Sequence, residues 1–158
     1  MEHSAKNSSM THMHWNRLLL MAGLHFVAMY ILMYAMVDQF DNVLPNLNQA
    51  YMAVIMTSPM LIIEVLLMGS MYGDRKVLAA IVTGSVLVFT AAFVGIRQQA
   101  AIGDKEFLRS MIPHHGAAIL MCDQAPIDDA EIIELCQQIT SSQQAEIDQM
   151  KQILERME

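Results

Sequence analysis

Twenty consecutive residues, Leu18 to Val37, carry no charged side chain and a single histidine, His25. At 1.5 Å per residue the run reaches about 30 Å, the thickness of a bilayer's hydrocarbon core, and it predicts a membrane-spanning helix. It is too long for the apolar part of a signal peptide. The polar Asp38-Gln39-Phe40-Asp41-Asn42 that follows offers no small-residue cleavage site, so the segment should stay as an anchor. A second apolar stretch, Ala50 to Met71, is interrupted by Pro59 and Glu64; a third, Val77 to Ile96, has no charge. Short connections, Asp38 to Gln49 and Tyr72 to Lys76, make consecutive spans antiparallel neighbours.

Beyond Gln98 the pattern becomes that of a water-exposed helix. Phe107, Leu108, Met111, His115, Ala118, Ile119 and Cys122 fall at helical spacing within Asp104 to Gln124, and Pro126 ends the run. Asp128 opens a second helix, with Glu131 placed as a capping-box acid, and Ile132, Cys136, Ile139, Ile147, Met150, Ile153, Leu154 and Met157 carry it towards the C-terminus. The expected fold is all-α: three transmembrane helices (15–97) after a flexible Met- and His-containing leader (1–14), then a helical hairpin (98–158). A hairpin of about 55 residues exposes an apolar face it cannot close alone. It should form at least a homodimer, two hairpins making a four-helix bundle.

Composition agrees with a membrane protein: 54% of the 158 residues are hydrophobic and 16% charged. The net charge of -7 excludes a phosphate-neutralising, nucleic-acid-binding surface. Five acids and five bases occupy residues 1–97, against eleven acids and four bases in 98–158. Lys6 and Arg17 precede the first span, Arg75 and Lys76 lie between the second and third, and no base lies between the first and second. That bias puts the N-terminus in the cytoplasm and the hairpin outside, in the periplasm of a bacterial plasma membrane. Two cysteines, Cys122 and Cys136, are too few for a disulfide framework.

Methionine is the unusual component, with 16 copies. On the first hairpin helix Met111, His115, Ala118 and Cys122 follow one another at three- and four-residue steps, flanked by His114 and Met121. Thioether and imidazole donors together favour Cu(I), or the similar Ag(I), over hard ions. The same residues also fit a plain packing role, with the methionines filling gaps and the histidines hydrogen-bonded. Pro113 removes the hydrogen bond to the Arg109 carbonyl and can bend the helix beside the histidines. Folding the chain about residue 126 sets Gln143 and Glu146 opposite Met111 and Met150 near Asp104. It leaves Cys122 and Cys136 about 9 Å out of axial register, against an intrachain disulfide and in favour of free thiols, extra soft ligands or an intersubunit crosslink.

The run Phe107-Leu-Arg-Ser-Met111-Ile-Pro-His-His115-Gly-Ala-Ala-Ile-Leu-Met-Cys122, followed by Glu131-Ile-Ile-Glu-Leu-Cys136 and Ser142-Gln-Gln-Ala-Glu-Ile147-Asp-Gln-Met150, resembles the bacterial domain-of-unknown-function 305 family. The resemblance covers Asp104 to Met157, and the three-span half resembles a membrane-bound branch. It implies a ferritin-like helical domain of copper-resistance type. It implies Met111, His114, His115, Met121 and Met150 as copper ligands, with Gln143 and Glu146 as motif residues. Leu120 departs from the pattern, standing where many soluble members have Asp.

Within the membrane, Met21, His25, Met29, Met33 and Met36 recur at helical steps, and Met52, Met56, Met60, Glu64, Met68 and Met71 repeat the device on the second span. These stripes are either ordinary packing or a run of soft metal sites. An intramembrane Glu64 would find a partner in His25. At the N-terminus His3, Met10, His12, Met13 and His14 cluster in the leader. No nucleophile triad, phosphate loop or cofactor fingerprint is present, so catalysis is not expected. The expected function is membrane-anchored Cu(I) binding for tolerance, storage or delivery, with an unknown donor or acceptor protein as partner. The competing readings are a metal-free oligomerisation or docking module, and an iron-binding ferritin-like redox protein.

Overall fold

The computed structural model describes residues 2–69 and 75–157, with side chains from Trp15 onward. His3, Met10, His12, Met13, His14 and Met71 therefore lie outside the described side chains, as does most of the Tyr72 to Lys76 turn. Every regular element is helical: α1 (Glu2–Leu32), 3-10 turns at Met33–Met36 and Phe40–Asn42, α2 (Leu47–Leu67), α3 (Arg75–Arg97), α4 (Asp104–Gln124) and α5 (Ala130–Met157). Among the described residues there is no strand. α1 begins at Glu2, so the leader's backbone is helical where flexibility was expected. Three segments, Trp15–Met36, Leu47–Leu67 and Arg75–Arg97, are long and apolar enough to cross a membrane.

The chain divides into two compact units, 1–31 with 50–100, and 32–49 with 101–158. In the first, Leu18 and Val65 are buried together, with Trp15, Met21, Leu61, Leu78, Ile81 and Val82 packed around them. The Tyr51 ring lies so close to Gly95 that an added Cβ would meet its edge at 3.0 Å, and its hydroxyl donates to the Ala100 carbonyl at 2.9 Å. Before Pro59, Thr57 and Ser58 turn their hydroxyls back onto the carbonyls of Ala53 and Val54, both at 2.8 Å.

In the second unit α4 and α5 pair as the hairpin, around a core of Leu108, Ile112, Ile119, Ile147, Met150 and Leu154. The segment between the first two spans is part of this unit, and Leu44 packs against the hairpin core. The apolar face expected to wait for a second hairpin is thus partly covered by the chain itself. Connectivity allows this because two spans, α2 and α3, separate residues 49 and 101. Two crossings return the chain to the side it left.

Candidate functional site

Two irregularities of α4 receive the 32–49 segment. Pro113 has no N–H to give the Arg109 carbonyl, and Asn46 Nδ2 lies 3.3 Å from that oxygen. The same amide reaches the Leu44 carbonyl at 2.9 Å, while Asn46 Oδ1 accepts the Gln49 N–H at 2.9 Å and so caps α2. The Leu47 N–H donates to Glu106 Oε2 at 3.0 Å, placing a carboxylate at the positive end of α2. One turn past Pro113, Gly116 leaves room for Asp38: an added Cβ would overlap Asp38 Oδ1 and approach Val37 Cγ1 at 3.4 Å. Asp38 Oδ1 accepts from Asn42 Nδ2 at 2.7 Å.

Between these anchors the two histidines part company. A helix turns about 100° per residue, so His115 points into the unit, 6% exposed, while His114 is exposed. His115 Nδ1 lies 2.8 Å from the Met111 carbonyl and Nε2 lies 2.7 Å from Glu146 Oε2. Both acceptors are served only by a ring with a hydrogen on each nitrogen; a neutral ring serves one. His114 makes no hydrogen bond to any described residue, and its one catalogued neighbour is the His115 ring, edge-on at 6.1 Å. Met111, His114, Ala118 and Met121 follow at steps of three, four and three, with Met111 half-buried and Met121 52% exposed. Met111 and His114 are within one turn, about 4.5 Å along the axis; Met121 lies two turns beyond His114, about 10 Å away.

The rest of the expected ligand set is arranged differently. α5 begins at Ala130 with Asp129, not Asp128, as its cap, accepting the Glu131 and Ile132 N–H groups at 2.9 and 3.1 Å. The five-residue linker carries α5 past the end of α4 before it turns back, which moves the pairing by about two turns. Glu146 consequently meets His115 rather than Met111, and Met150 is buried with Leu108 and Ile112 instead of lying near Asp104. Gln143 Oε1 is buried without a hydrogen-bond partner. The same shift brings Cys122 and Cys136 level, with Cα atoms 5.2 Å apart, and they form a disulfide. The expectation of unpaired cysteines is corrected, and oxidised Cys122 is no thiolate ligand. Among the described residues no three His, Cys, Asp or Glu side chains converge on one point. A carboxylate-rich iron cage is therefore not supplied there.

The membrane stripes are also interrupted. α1 ends at Leu32, and the 3-10 turn carrying Met33 and Met36 rotates those residues off the line of Met21, His25 and Met29. Met52, Met56 and Met68 are exposed on their helix, whereas Met60 and Glu64 are half-buried. His25 and Glu64 do not pair: neither bonds to another described residue. The contact of Leu18 with Val65 sets Glu64 near the end of its span, about two turns from the depth of His25.

A helical hairpin following three apolar spans defines the class, a membrane-associated all-α protein with one small folded unit beside the membrane. Residues 94–157 match the family described as domain of unknown function (DUF305), and the chain belongs to it. It is similar to uncharacterized protein L153 of Acanthamoeba polyphaga mimivirus, 35% identical over 141 residues, which is 87% of this chain and 91% of that protein. That similarity extends through much of the apolar half as well as the hairpin. No solved structure matches the chain.

Proposed function

We propose that the protein is a membrane-anchored copper-binding protein that holds Cu(I), or Ag(I), on thioether and imidazole donors of its hairpin, for copper tolerance, storage or delivery outside the cytoplasm of a bacterial cell. The observation that carries this reading is His114: exposed, free of hydrogen bonds, and one turn from the Met111 thioether. Soft neutral sulfur beside imidazole selects a soft monovalent ion. One Met–His pair leaves the ion's coordination open. A second copy presenting the same pair would complete it, and an open position is also what transfer to or from another protein requires. Met121 would serve a second ion along the same helix. His115 joins only if Glu146, 54% exposed, swings away and releases Nε2.

The test is His114→Ala in the full chain. Cu(I) affinity should fall at least tenfold, about 1.4 kcal/mol, with helicity unchanged. Unaltered affinity would remove the hairpin stripe as the site and favour the metal-free docking module.

A further inference from the structure

The far end of the hairpin has a different chemistry from the Met–His stripe. Between Leu120 and Glu146 no residue is buried, so the tip has no core of its own. What joins its two helices covalently is the Cys122–Cys136 disulfide. Both cysteines line an open cavity of about 410 Å³ together with Asp123, Ile127, Ile133 and Gln137. Neither sulfur is sealed in the hydrophobic core, and a small thiol or an active-site dithiol can reach the bond from solvent.

We propose that Cys122 and Cys136 form a second soft-metal site, hidden as a disulfide and exposed by reduction, that takes one Cu(I) or Ag(I) between two thiolates. A linear thiolate–metal–thiolate unit needs sulfurs about 4.6 Å apart, twice the metal–thiolate bond length. With Cα atoms 5.2 Å apart on antiparallel helices, rotation about the Cα–Cβ bonds opens the sulfurs to that spacing with the backbone in place. The other cavity residues supply no His and no further Cys, so a four-coordinate zinc site is not available there, while a two-coordinate monovalent ion needs nothing more.

The chemistry balances with a dithiol as reductant. Two electrons and two protons pass from the dithiol to the Cys122–Cys136 bond, giving two thiols and an external disulfide. The ion then displaces both protons as the two sulfur–metal bonds form. Oxidation by an external disulfide, with uptake of two protons by that disulfide's sulfurs, restores the Cys122–Cys136 bond and releases the ion. Binding and release would thus follow the thiol balance of the compartment, independently of Met111 and His114.

The experiment uses the full chain in detergent as two anaerobic samples, one untreated and one reduced with dithiothreitol and desalted, each titrated with Ag(I) as a redox-inert probe. The reduced sample should bind one more equivalent than the untreated one, and should gain two iodoacetamide-reactive thiols that the bound ion then protects. Alkylating the reduced wild-type protein should abolish the extra equivalent, as should Cys122→Ser with Cys136→Ser; the alkylation arm stands even if that variant does not fold. Equal Ag(I) stoichiometry in the two samples, no new reactive thiols, or an extra equivalent that survives alkylation would each overturn the proposal. His114→Ala should leave the extra equivalent intact, which separates this site from the Met–His stripe.

Discussion

At the scale of single residues, adjacency in sequence and adjacency in space differ most for His114 and His115. The motif named both as candidates, but a helix separates neighbours by about 100°, and which of the two faces inward depends on what covers α4. That cover is the 32–49 segment together with Glu146 from α5, and neither contact has a periodic signal in sequence. The Asn46 contact with the Arg109 carbonyl was half legible: Pro113 announces an orphaned carbonyl, yet nothing announces the amide 63 positions earlier that meets it. His115→Ala should therefore act on stability, by about 1–3 kcal/mol from stranded polar partners, with Cu(I) affinity changed less than threefold; paired chemical denaturation and Cu(I) competition measure both. Gly116→Ala should destabilise the hairpin unit by about 1–3 kcal/mol through overlap with the Asp38 carboxylate. Asp38→Gly in the same chain should recover part of that loss, because the two residues are in contact, and a double-mutant cycle reads the coupling. A purely additive cycle would mean that Gly116 matters for its backbone alone.

At the scale of elements, the helices themselves were readable. The three apolar runs and the hairpin all appear near their expected limits, since span length and helical periodicity are written directly in the order of apolar residues. The register of the hairpin was not. Placing its centre at Pro126 treated the linker as a tight symmetric turn, whereas Asp129 rather than Asp128 caps α5 and the five intervening residues run past α4. A shift of a few residues at the turn reassigned Glu146, Met150 and both cysteines. The disulfide closes a separation of 14 residues, for which loop-closure entropy gives about 3 kcal/mol. Because no residue from 120 to 146 is buried while the hairpin core lies at 108–119 and 147–154, its loss should be felt locally. Reduction without added metal should accelerate amide exchange through residues 120–140 and leave protection around Ile112 and Ile147 nearly intact. Uniform loss of protection along both helices would instead make the disulfide essential to the whole hairpin.

For the whole molecule, the joint packing of 32–49 with 101–158 constrains topology without reference to charge. Both stretches belong to one compact unit, so they lie on one side of the membrane, and α2 and α3 must each cross it. The charge bias then chooses which side: Lys6, Arg17, Arg75 and Lys76 flank the opposite faces of α1 and α3, and the 38–49 segment has no Lys or Arg. Parity and orientation are separable, and one labelling series distinguishes them. Phe40 is 94% exposed in the first inter-span segment, Gln152 is exposed on α5, and Lys76 is exposed at the start of α3. Each is changed to Cys in turn, with the native cysteines held in their disulfide, and intact cells are treated with a membrane-impermeant maleimide. Phe40→Cys and Gln152→Cys should label equally, and Lys76→Cys only after permeabilisation. Labelling of Lys76→Cys alone would keep the three crossings but turn the hairpin to the cytoplasm, where reducing conditions would hold Cys122 and Cys136 open. Labelling of Phe40→Cys without Gln152→Cys would put the two stretches on opposite sides, and a hairpin anchored by Asn46 and Asp38 could not then exist.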